Sequence, residues 1–198
     1  MSRELSDLRS ENARLKAEVD ALSIDVTGAM SRRAGESVVD RLERELSRST
    51  HSSVALEDQE LDFAVVFVDL DGLKAVNDTV GHTQGDDLLA RAASALLTAA
   101  ARPTDYVIRW GGDEFVIIAR TEGYPQEPGD LGAMLRDRVR ASFKVAGVSA
   151  SVGFAFTTFQ VSLKDAIAGA DECMYLDKSN RKNNPILDPM TGEEYMHV

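Results

Sequence analysis

The chain has 198 residues, 43% of them hydrophobic and 28% charged, with 33 acidic side chains against 22 Lys and Arg and a formal net charge of −11. That length suits one globular domain plus an appendage, and the apolar content is too high for a disordered chain. The acidic balance argues against a nucleic-acid surface and against docking on an anionic membrane face, and no apolar run approaches the ~20 residues of a spanning helix. The single cysteine, Cys173, excludes an internal disulfide and a cysteine-cage zinc site. Met1-Ser2-Arg3-Glu4 carries no apolar signal core, so the expectation is a cytoplasmic protein with no nucleic-acid or membrane partner.

Residues 1–23 carry a short heptad repeat. Leu5, Asn12 and Val19 fall on one seam position, and Leu8, Leu15 and Leu22 on the other. Glu4 and Glu11 precede Arg9 and Lys16 by five residues, the spacing of interchain pairs in a parallel coiled coil. Asn12 at a seam position costs stability but favours an in-register dimer. Three heptads are marginal alone, yet these three signals agree on a parallel dimeric coiled coil.

From about Ile24 the pattern becomes globular. Val38, Val39, Leu42 and Leu46 mark an amphipathic helix, followed by a polar loop over Ser47 to Ser53 in which His51 reads as solvated. Phe63 to Val68 is a continuous apolar run closed by Asp69, which predicts a buried central strand. Leu88 to Ala101 is helical. Tyr106 to Trp110 and Phe115 to Ala119 are strands around Gly111-Gly112-Asp113-Glu114, hence a hairpin. Leu131 to Phe143 reads as helix and Val148 to Thr157 as strand. Ser162, with Asp165 in capping-box style, opens a last helix to about Lys178. This order predicts an α+β sandwich with a mostly antiparallel central sheet over residues 24–184. Residues 185–198 hold two prolines and an acidic pair and read as a tail.

Two carboxylates stand out by position. Asp69 closes an apolar strand, and Asp113 sits at the tip of a glycine hairpin between two others. A carboxylate at a buried strand end is costly unless it meets a cation. Alone, Asp69 reads equally as a turn cap, and Gly111-Gly112 as a mere turn. Together the two acids form an oxygen-ligand arrangement that suits Mg²⁺, which completes its shell with waters and substrate phosphates. Metals so held can activate an attacking hydroxyl and stabilise a leaving oxygen.

Arg109-Trp110-Gly111-Gly112-Asp113-Glu114-Phe115 resembles the signature hairpin of GGDEF-domain diguanylate cyclases. Asp69-Leu70-Asp71-Gly72-Leu73-Lys74-Ala75-Val76-Asn77-Asp78, then Gly81-His82 and Gly85-Asp86, is similar to the family's metal- and guanine-binding segment in correct spacing. Ser151-Val152-Gly153 and the stretch from Ala170 to Lys178 resemble its closing strand and helix. The resemblance implies a palm-like fold related to nucleotidyl cyclases and conversion of two GTP into cyclic di-GMP and two pyrophosphates. It implies two metal ions per site, Mg²⁺ or Mn²⁺, on Asp69, Asp113 and the Leu70 carbonyl. Asp113 or Glu114 would help deprotonate the 3′-hydroxyl, and Lys74 would stabilise developing charge. Asn77 and Asp86 would read guanine, Asp86 as acceptor from donors that adenine lacks. Gly111 and Gly112 would admit phosphate, and His82 would touch substrate or brace its loop.

Arg102 and Asp105 form R-x-x-D, with five residues between Asp105 and Gly111, where the resemblance implies a product-inhibition site for cyclic di-GMP. By itself such a pair is a surface ion pair worth under about 1 kcal/mol. Two segments depart from the family pattern. The opening Asp-x-Leu-Thr reads Ile24-Asp25-Val26-Thr27, so its leading Asp is displaced or absent. The expected Lys-x-x-Gly-Arg reads Lys178-Ser179-Asn180-Arg181-Lys182, with arginine for glycine and lysine for arginine. A lysine lacks the bidentate fork, which leaves Arg181 or Lys182 to hold the triphosphate. The leading expectation is a cyclase dimerised by its coil; the competing one is a catalytically weak cyclic di-GMP receptor signalling through that coil.

Overall fold

The computed structural model describes residues 23–51, 62–122, 124, 128–158 and 160–183. The tail at 185–198 and, apart from Ser23, the coiled coil expected over residues 1–23 lie outside them. The described elements run α1 (Arg32–His51), β1 (Phe63–Leu70), α2 (Leu73–Thr79), α3 (His82–Ala100), β2 (Tyr106–Arg109), β3 (Glu114–Arg120), α4 (Pro128–Ala146), β4 (Ala150–Phe156) and α5 (Leu163–Asn183). The strands form one sheet in the order β2-β3-β1-β4, every ladder antiparallel. This is the α+β sandwich expected from the sequence.

β1 is apolar at nearly every position because both of its faces are covered. Ala64, Val66, Val68 and Leu70 point into one core with Leu88, Leu96, Leu131, Leu135 and Val139 of α3 and α4. Phe63, Val65 and Phe67 point the other way, against Val38, Val39 and Leu42 of α1 and Leu163, Ile167 and Met174 of α5. The period-2 alternation of a strand thus sends its odd and even residues to separate helical layers. Leu42 is fully buried, and its truncation to alanine would cost ~2–5 kcal/mol.

Several boundaries differ from the sequence expectation. α1 continues through the segment read as a polar loop from Ser47, and ends at His51. The Ser47 hydroxyl donates to the Glu43 carbonyl at 2.9 Å, so the serine is satisfied inside the helix instead of breaking it. α3 starts at His82, one and a half turns before Leu88, because buried Gly85 lets its first turns pack under α2. α5 runs on past Lys178 to Asn183. Ser162 does cap its start: the Ser162 oxygen accepts from the Asp165 N–H at 3.1 Å, and its hydroxyl donates to the Asp165 carboxylate at 2.7 Å.

Gly153 sets how near α5 lies to the sheet. A Cβ there would stand 2.1 Å from the Met174 nitrogen and 2.3 Å from the Ala170 carbonyl oxygen. That close approach delivers the C-terminal turns of α5 to the end of β1.

Candidate active site

Antiparallel pairing of β1 with β3 puts Asp69 directly opposite Glu114. The Leu70 N–H donates to the Asp113 carbonyl at 2.9 Å, which draws the hairpin tip onto the end of β1. Asp69 is buried, at 8% exposure, and Lys178 of α5 donates to its Oδ1 at 2.6 Å. Burial pushes the Asp69 carboxyl above its ordinary range, against the pull of Lys178 and with added repulsion from Asp113 and Asp71. Glu114 is raised in the same direction, first by burial and then by Asp113 and Asp69. Burial works to lower Lys178, but the Asp69 hydrogen bond and the surrounding carboxylates outweigh it and hold the ammonium above its usual value. A Cβ at position 111 would meet Glu114 Oε2 at 2.2 Å, so a larger residue there would push that carboxylate aside.

Among the described residues no group of three or more His, Cys, Asp or Glu side chains is arranged to hold a metal. Mg²⁺ asks for less: one or two carboxylates, with carbonyl, water and phosphate oxygens filling the octahedron. Two side-chain acids and the Leu70 carbonyl fit that donor chemistry. The buried Asp69 charge, now met by a lysine ammonium, marks where a cation is favoured.

The nucleotide-reading candidates come together on α2 and α3. Lys74 and Asn77 lie three residues apart on α2, hence on one face. Asn77 packs on Gly85, where an added Cβ would fall 2.0 Å from its Oδ1. Asp86 follows Gly85 and is exposed, as is His82 in the first turn of α3. Gly112 has open space around it. Lys182 lies in the last turn of α5, its side chain outside the described residues.

Arg102 and Asp105 meet around a residue the sequence reading missed. The Arg102 guanidinium stacks 3.6 Å from the Tyr124 ring centroid and donates to the Glu122 carbonyl at 3.0 Å. The Tyr124 hydroxyl donates to Asp105 Oδ2 at 3.1 Å, whereas the buried Oδ1 has no hydrogen-bond partner among the described residues. Burial raises the Asp105 carboxyl despite Tyr124 and Arg102. Tyr124 gives no periodic or motif signal; its role follows from the turn after β3.

Asp25 was also undervalued. Its carboxylate pairs with Arg109 at 3.0 Å, and Arg109 donates to the Gly112 carbonyl at 2.6 Å. The displaced aspartate therefore ties the opening turn to the hairpin. Arg109 beside the hairpin was legible, but a partner 84 residues away was not.

A helix-covered four-stranded antiparallel sheet with a carboxylate hairpin beside its central strand is the α+β architecture of solved GGDEF domains. The family model "Diguanylate cyclase, GGDEF domain" matches residues 25–184, and the chain belongs to that family. It is 30% identical over 128 residues to diguanylate cyclase DgcM of Escherichia coli K12, covering 62% of this chain and 30% of that protein. With diguanylate cyclase DosC of the same organism it shares 34% identity over 126 residues, 61% of this chain and 27% of that one. The chain thus spans under a third of these relatives' length. The coiled coil and GGDEF domain of DgcB from Caulobacter crescentus, solved with c-di-GMP, superposes with a TM-score of 0.69 at 22% identity. That alignment covers 90% of this chain and 94% of DgcB's, a likeness of fold. Among the described residues no helix is long and apolar enough to cross a membrane.

Proposed function

We propose that this chain is a diguanylate cyclase that condenses two GTP into cyclic di-GMP and two pyrophosphates. The observation that carries the reading is the meeting of buried Asp69 with the Asp113–Glu114 hairpin and the Lys178 ammonium at one sheet end. Asp69, Asp113 and the Leu70 carbonyl would hold two divalent cations, Mg²⁺ or Mn²⁺. When bound, those cations supply activation of the 3′-hydroxyl and neutralisation of charge at the α-phosphate. Asn77 and Asp86 orient the guanine, and Asp86 selects it, because a carboxylate accepts from its N1 and N2 donors. Gly111 and Gly112 keep side chains out of the phosphate path. Lys74 and Lys178 offset developing negative charge.

Asp113 or Glu114 takes the 3′-hydroxyl proton. Burial and the neighbouring Asp113 and Asp69 charges raise the Glu114 carboxyl above its ordinary range, which makes it a stronger proton acceptor than a free glutamate. One domain holds one GTP, so ring closure needs two domains face to face. The heptads at residues 1–23 would raise the effective concentration of the second half-site. Arg102 and Asp105 would bind product and restrain turnover. The cytoplasm is where this substrate and product would be met.

Incubation with GTP and Mg²⁺, followed by nucleotide chromatography, tests the reading. Cyclic di-GMP with two equivalents of pyrophosphate is expected, and none from ATP. Absence of any cyclic dinucleotide would refute it in favour of a receptor. Removal of residues 1–22 is expected to lower activity at nanomolar protein while leaving it nearly unchanged at high concentration. Equal turnover at both concentrations would dismiss the coil's role.

A further inference from the structure

We infer that Arg181 is a positioning residue, a strap that fixes Lys178 over Asp69, and not the clamp for the triphosphate. The inference rests on the cyclase reading. Arg181 is 27% exposed at its side chain and is already engaged in three directions. It donates through Nη1 to Asp71 Oδ2 at 3.0 Å and to the Ala150 carbonyl, and through Nη2 to Ser149 Oγ at 3.0 Å. Its acceptors are themselves interlocked: the Ser149 hydroxyl donates to Asp71 Oδ2 at 2.6 Å, and the Asp71 N–H donates to the Ser149 carbonyl at 2.9 Å.

This network joins three segments: the turn after β1, the start of β4, and the last turns of α5. Asp71 lies two residues beyond Asp69. Arg181 lies three residues beyond Lys178, so both side chains leave the same face of α5. Fixing the guanidinium fork therefore fixes the rotation of α5 and the reach of the Lys178 ammonium to Asp69. A planar fork with several donors suits this task, and a lysine at 181 would serve only one acceptor at a time. A glycine there would leave Asp71 facing only Ser149. The extension of α5 beyond Lys178 follows from the same bonds. Three of the five guanidinium N–H donors are already committed, both on Nη1 and one on Nη2, which leaves only Nε and one Nη2 hydrogen to any further acceptor.

The two roles predict opposite signs for one substitution. If Arg181 clamps phosphate, Asp71→Asn releases it and removes a repelling charge, so nucleotide binding tightens. If Arg181 acts through Asp71, the same substitution loosens binding. Affinity for the non-cleavable α,β-methylene analogue of GTP, with Mg²⁺, is read by calorimetry on the full chain. Arg181→Gln and Asp71→Asn are each expected to weaken binding about fivefold, and the double variant no more than either alone. Arg181→Lys is expected to recover part of the loss. Tighter or unchanged binding in Asp71→Asn, or additive losses in the double variant, would overturn the strap.

Thermal unfolding of each variant establishes that it is folded at the temperature of measurement. Should Asp71→Asn not fold, Ser149→Ala removes the other side-chain acceptor and is expected to loosen binding about twofold; no change would overturn the proposal. If the unaltered protein binds no guanine nucleotide, the cyclase reading fails by itself. The strap is then decided by the unfolding midpoints of the same cycle: non-additive losses support it and additive losses overturn it.

Discussion

Two corners of the molecule each hold a carboxylate that burial has made costly to ionise, and they resolve the cost differently. At the end of β1, Asp69 is answered by the Lys178 ammonium, which in turn hangs from a helix strapped by Arg181. At the start of β2, Asp105 accepts from a tyrosine hydroxyl on one oxygen, its other oxygen meets no hydrogen-bond donor at full geometry among the described residues, and Arg102 lies flat on that tyrosine. The first corner is balanced by an ammonium brought in by α5. The second meets its charge with a tyrosine hydroxyl and lies beside a guanidinium stacked on that same ring. A raised carboxyl alone therefore does not say which chemistry a carboxylate serves; what answers the charge does.

The sharpest break in this comparison is Asp113→Ala. It removes the second acid of the first corner only, and is expected to lower cyclisation about 100-fold or more while cyclic di-GMP binding at the second corner persists. Turnover assay and product calorimetry on the same variant check both halves.

Next is Lys178→Met, which leaves Asp69 buried without its cation. A stability loss of ~1–3 kcal/mol is expected in metal-free buffer. Millimolar Mg²⁺ should recover much of it, and denaturant titration with and without Mg²⁺ measures both. Failure of Mg²⁺ to recover any stability would mean that lysine and metal do not share the site.

Asp105→Asn should act in the other direction. The native Asp105 carboxyl lies above its unfolded value, so the folded chain binds that proton more readily. Its contribution to stability grows as pH falls from the native value towards the ordinary carboxylate value, and at neutral pH the buried charge is a net cost. The amide is expected to raise the unfolding midpoint at pH 7 by a few degrees, to flatten that part of the pH dependence, and to abolish product inhibition. A lower midpoint at pH 7 would contradict the orphaned-oxygen account. Tyr124→Phe is the mildest: it keeps the ring under Arg102 and removes one hydrogen bond, for a loss of ~0.5–1.5 kcal/mol in denaturant titration and a modest weakening of cyclic di-GMP binding.

Much of the fold was legible because its signals are local. A six-residue apolar run from Phe63 to Val68 means a strand covered on both faces, and the heptad-free amphipathic stretch from Val38 means a helix. Serine-rich Ser47 to His51 misled because hydroxyls that favour loops also bond back within a helix when packing continues. The hairpin acids, Asn77 and Asp86 were legible as a spaced motif.

Sequence alone determined the α+β architecture, the family, the residue types available for oxygen coordination and the −11 charge, part of which is the site itself. Spacing and periodicity are properties of a chain read in one dimension. The tertiary structure decided which opposite charge each acid meets. Lys178 reaches Asp69 across 109 positions, Arg181 reaches Asp71 across 110, and Asp25 reaches Arg109 across 84. Such pairings arise from strand register, the close packing of α5 on Gly153 and the return of the chain to the sheet, so only the packed molecule turned an acidic sequence into a locally balanced site.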